Sequence, residues 1–112
     1  MVVVALHSAL ESYAKAIGAA DRGPMPKSVV NFLSASAPLP SSLADELTEF
    51  DQTRHLVIHH SGVVSDRYVN AVKYNTLAEG ELRSISSSNL TRYAEMVWIV
   101  ADVLRTSATQ QE

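Results

Sequence analysis

Between residues 51 and 60 the sequence gathers groups able to hold charge or move a proton near neutral pH: Asp51, Arg54, His55, His59 and His60. Three of the four histidines of the chain fall within these positions. His55 and His59 are four apart, so on a helix they stack on one face, with Asp51 a further four residues back. An imidazole with a proton affinity near neutrality can act as acid or base, and a guanidinium fork can hold the charge on a phosphate. Together they suit acid–base chemistry on a phosphodiester. Two other uses of the same residues stay open. Asp51, His55 and His59 form a line of metal ligands, although one helix face would need a further ligand from elsewhere. Histidines near a helix C-terminus also favour its negative end and can serve as caps.

The helix that must carry these groups is the third of those expected. Ser42 and Asp45 resemble a capping box at its start, Leu43, Leu47, Phe50 and Val57 form its apolar stripe, and Gly62 is placed as a left-handed terminator, giving a span of about 42 to 60. Position 54 falls on that stripe, where another apolar residue would be expected, and it is Arg54. Its charge requires a wet cleft, a route to the surface, or a partner among Glu46, Glu49 and Asp51.

Other elements follow from the same periodicity. Val3, Leu6, Leu10, Tyr13 and Ile17 mark a first helix ending near residue 19, with Gly18 and Asp21–Pro24 as its stop. Val29, Val30 and Leu33 allow a short second helix before the Ser34–Pro40 loop. Ser65 caps a fourth helix carrying Val69, Val72 and Leu77, and the Glu81–Ser86 region suits a short extended piece. Leu90, Tyr93, Val97, Val100 and Leu104 mark a fifth, capped by Ser87, Ser88 or Asn89 and running to about 105, before a frayed tail from Thr106 to Glu112. Trp98 lies just off that stripe and is expected to pack in the core or mark an interface. Short connections between four or five helices predict an all-α antiparallel bundle.

The string Arg54 to Gly62, R-H-L-V-I-H-H-S-G, resembles the signature of the HEPN superfamily, in which an arginine is followed after four to six residues by a histidine. His55 occupies the slot after the arginine where that family commonly has a polar residue, and Ser61-Gly62 matches its small-residue turn. The resemblance implies a HEPN-like bundle that forms a homodimer with two motifs lining a shared cleft, and a metal-independent endoribonuclease leaving 2′,3′-cyclic phosphate ends. Carried onto this chain, His59 acts on the 2′-hydroxyl or the leaving oxygen, Arg54 stabilises the phosphorane, and His55 orients or assists. His60 could replace His59 at a spacing of five. Asp51 and Tyr68 are accessory candidates. RNA is then the substrate, an antitoxin or fused domain a partner in a toxin–antitoxin or defence system, and neither cofactor nor metal is required. A non-catalytic dimerisation or regulatory module of the same type is the alternative. A four-helix metal protein, with His7 or Glu11 meeting His55 and His59, is a third.

Composition bounds these ideas. The 112 residues are 46% apolar and 19% charged, which predicts one folded domain, although the apolar periodic start suits a piece of a longer protein. A formal charge of −3 provides no broad field for a polyanion, so any RNA contact must be local. With no cysteine, thiolate chemistry and disulfides are excluded, and a cytoplasmic setting is the default. The apolar runs are too short to span a bilayer, so no membrane partner is expected.

Overall fold

The structure, a computed structural model, describes residues 2–16, 27, 29, 41–73 and 75–110. Among them the fold is an all-α bundle: α1 (Val2–Ala16), α2 (Ser41–His59), the short α3 (Asp66–Ala71) and α4 (Ser87–Gln110). None of these helices is long and apolar enough to cross a membrane.

The apolar stripes of α1, α2 and α4 converge on one core. Val3, Leu10 and Ala14 of α1 meet Leu47 and Phe50 of α2 and Tyr93, Met96, Val100 and Leu104 of α4. Each large side chain removed from water here contributes about 1.5–3 kcal/mol. Of the expected second helix, Lys27 and Val29 are helical and Val29 is buried in this core; its remaining residues, the stop of the first helix and the Ser34–Pro40 loop lie outside the described residues.

Several boundaries differ from expectation for local reasons. Because α2 begins at Ser41, Ser42 is inside the helix rather than its cap, and Asp45 approaches the Lys73 ammonium at 4.0 Å. Its end is as expected: Ser61 and Gly62 take left-handed conformations (φ 52° and 83°) and Gly62 donates to the Leu56 carbonyl at 2.9 Å. Ser65 caps α3 by accepting from the Tyr68 amide, but α3 stops at Ala71 rather than reaching Leu77. The Asn75 side chain accepts from the Leu77 amide, turning the chain so that Val72 and Leu77 fold back onto a second small core of Leu56, Val64 and Tyr68.

The expected extended piece is reduced to a single antiparallel bridge between Val63 and Leu82, extended by bonds from Val64 to Glu81 and from Arg83 to Gly62. The cap of α4 is Ser86, not Ser87 or Ser88: Ser86 Oγ accepts from the Asn89 amide and Asn89 Oδ1 accepts from the Ser86 amide, a reciprocal box. Helix α4 continues to Gln110, past the expected end near 105, so the tail from Thr106 is helical through that residue. Trp98 is 75% exposed and therefore not core.

A buried polar contact joins α1 to α2. His7 is fully buried; its Nε2 lies 2.7 Å from Asp51 Oδ1 and its ring packs on Phe50. Removing one partner strands the other in a dry site, which costs about 2–3 kcal/mol. His7→Leu should therefore lower unfolding stability in urea by about that amount, and His7→Leu/Asp51→Leu should recover most of it.

Candidate functional site

Helix α2 delivers the histidines as its spacing requires. The rings of His55 and His59 are 4.7 Å apart between centroids, and those of His55 and His60 are 5.5 Å apart. His55 is half-buried, while His59, the last residue of α2, and His60 are exposed. Burial holds the His55 imidazole below its ordinary proton affinity, and the charges of Arg67, His59 and His60 push it further down against an opposing pull from Asp51. The cluster is thus one imidazole biased towards neutrality, packed against two that solvent reaches.

Arg54 does not join it. Five residues at 100° each place His59 about 140° around α2 from Arg54, so the two side chains leave different sides of the helix. None of the three expected acidic partners meets Arg54: Asp51 is held by His7, Glu49 by other cations, and Glu46 makes no hydrogen bond or ion pair among the described residues. Arg54 is half-buried, and its Nε is buried with no hydrogen-bond partner among the described residues. The cation whose charge acts on His55 is Arg67, in the first turn of α3, which sequence spacing did not single out.

The expected accessory residues separate in the same way. Asp51 faces the α1 contact, and Tyr68 is buried in the second core. The four-helix metal arrangement is not formed: His7 is committed to Asp51, and Glu11 pairs with Lys15 at 3.6 Å. Among the described residues no group of three or more His, Asp or Glu side chains is arranged to hold a metal ion.

A second polar cluster escaped sequence analysis entirely. Glu49 accepts from the Tyr93 hydroxyl at 2.7 Å and from Arg83 at 2.9 Å, with Thr53 at 3.3 Å and Arg92 at 3.7 Å. Burial, then the Glu49 charge, pushes the Tyr93 hydroxyl up to about 12, so it remains a donor. Arg83 is held charged against its burial, first by the Glu49 hydrogen bond. The one sequence signal was a hydroxyl-bearing residue, Tyr93, on the apolar stripe of α4; Arg83 lies in a connection with no periodicity to mark it.

The chain matches no protein-family model, no curated protein and no solved structure. The arrangement of its histidines makes a direct electrostatic prediction. In a proton-NMR titration, His55 should show a midpoint below that of an ordinary histidine, and His59→Gln and Arg67→Gln should each raise it by removing a like charge. A midpoint unmoved by both substitutions would show that the cluster does not exist in solution.

Proposed function

We propose that the chain is a metal-independent endoribonuclease of HEPN type, with the histidine cluster at the end of α2 as its proton-transfer site. The observation that supports this is the packing of three imidazoles at 4.7 and 5.5 Å, one of them biased towards neutrality and two open to solvent. In this reading neutral His59 takes the proton of a ribose 2′-hydroxyl as its oxygen attacks phosphorus. The bond from phosphorus to the 5′-oxygen breaks, and that oxygen takes a proton from protonated His60. The products are a 2′,3′-cyclic phosphate and a 5′-hydroxyl. His55 positions His59 by ring contact.

Arg54 enters across a two-fold contact. Because it and His59 leave different sides of α2, one chain's Arg54 reaches a phosphate at the histidines of a second chain more readily than at its own, and an isologous dimer forms that contact twice. Its guanidinium, whose Nε has no hydrogen-bond partner among the described residues, then meets the phosphorane oxygens. Arg67 supplies a further positive charge from within the chain.

A non-catalytic dimerisation or binding module is the second reading. It is favoured by the exposure of Trp98, with Ile99 beside it 47% exposed, since such side chains are enriched at interfaces.

Cleavage of a structured RNA in excess EDTA separates the two. Wild type should cut and leave cyclic phosphate ends, and folded Arg54→Ala and His59→Ala should each lose activity by about a hundredfold or more. Mixing the two inactive variants should restore about a quarter of the wild-type rate, because random pairing makes half the dimers mixed and each has one intact site. A folded wild type that leaves RNA intact removes the nuclease reading and puts the binding module first.

A further inference from the structure

On another side of α2 from the histidines, the start of that helix, residues 72–73 and 75–84 and the start of α4 enclose a cleft of about 710 Å³. That lies within the range of small-molecule sites, about 300–1,000 Å³. None of Arg54, His55, His59 and His60 lines it. Its charges cancel: Asp45, Glu46 and Glu49 stand against Lys73, Arg83 and Arg92. A wall of this kind has no preference for a polyanion or a polycation.

The pairs are not equally committed. Glu49 and Arg83 are used up by each other and by Tyr93, and Asp45 with Lys73 stands at 4.0 Å. Two groups on facing elements are less fully committed. Glu46, on α2, is exposed and has no hydrogen bond or ion pair among the described residues. Arg92, on α4, sits 3.7 Å from Glu49 Oε2 with its guanidinium 5.5 Å from the Tyr93 ring centre, and donates no hydrogen bond among the described residues. It is held in place with its donors unused, as bidentate capture of a carboxylate requires. Val72, Leu77 and Leu82 supply apolar wall alongside these charges, with Tyr68 also lining the cleft, and Leu82 is 64% exposed.

We infer that this cleft binds a short peptide with free ends and aliphatic side chains, its terminal carboxylate on Arg92 and its terminal ammonium on Glu46. A molecule with one negative end, one positive end and an apolar body matches the three kinds of surface the cleft presents, and the volume exceeds what a single amino acid would fill. The site is independent of the ribonuclease reading.

The test is titration of the 112-residue chain with the dipeptide leucyl-leucine, followed by calorimetry and by backbone amide shifts. Binding should move the amides of Leu77, Leu82 and Arg92. The C-terminal amide and the N-acetyl derivative should each bind at least tenfold more weakly. Arg92→Gln should bind dipeptide and amide equally, and Glu46→Gln should bind dipeptide and acetyl derivative equally; both positions are exposed and Glu49 keeps its hydrogen bonds from Arg83 and Tyr93, so the fold is retained. No binding to wild type, affinity indifferent to blocking either end, or shifts confined to residues 55–60 would each overturn the assignment.

Discussion

A carboxylate placed between packed helices has to be matched by donors or it will not stay charged and buried. Glu49 meets that condition with groups from three parts of the chain: Thr53 one turn away, Arg83 from the connection before α4, and Tyr93 with Arg92 from α4 itself. Leaving it unpaired would cost several kcal/mol, so the contact sets the rotation of α4 against α2 more tightly than apolar packing alone. It also anchors the bridge segment, since Arg83 reaches Glu49 with its side chain while its own amide donates to the Gly62 carbonyl. Tyr93 carries the constraint into the main core, where its ring packs on Phe50 at 5.1 Å. The other end of α2 and the turn after it are thereby tied to the same carboxylate.

Helix α2 is enclosed on several sides, which explains what periodicity could and could not reveal. Asp51, Gln52 and Thr53 are consecutive, polar and all buried, a run that no single apolar stripe accommodates. Asp51 is buried because His7 meets it from 44 residues away, and Thr53 because it lies under Tyr93. Pairings at such separations leave no trace in local spacing. The helices themselves were legible because burial of one face repeats every three to four residues: the stripes of α1, α2 and α4 converge, except that at the end of α2 the buried side chain is Leu56 rather than Val57. So were Ser65 and Gly62, whose roles depend on neighbours within a few positions. Trp98 shows the converse, an aromatic whose type suggested the core and whose angular position on α4 puts it in water.

The candidate site divides along the same line. His55 and His59 could be paired from sequence because four residues return almost to the same side of a helix; with His60 just past the helix end they form one cluster. The relation of Arg54 to His59 could not, because a spacing counted in residues says nothing about direction until it is converted into an angle. At five residues the two side chains leave the helix about 140° apart, a relation that the linear string does not display. Arg67 went unnoticed because its nearness to His55 depends on the left-handed turn at Ser61 and Gly62, which folds α3 back onto α2.

The two candidate sites rest on one short support. Arg67 and Tyr68 are adjacent in α3, so their side chains diverge by about 100°: the charge of Arg67 acts on the histidine cluster, and Tyr68 lines the cleft. A helix of six residues has too few internal hydrogen bonds to hold its own shape, and its position is set from outside. Ser65 fixes its start, and Val72 and Leu77 hold its end against Leu56, Val64 and Tyr68. The same small core therefore fixes the distance from Arg67 to the imidazoles and the depth of the cleft wall, and neither can change without disturbing Leu56, which is fully buried. Loosening that core, rather than altering any charged residue, is the change that reaches both sites at once.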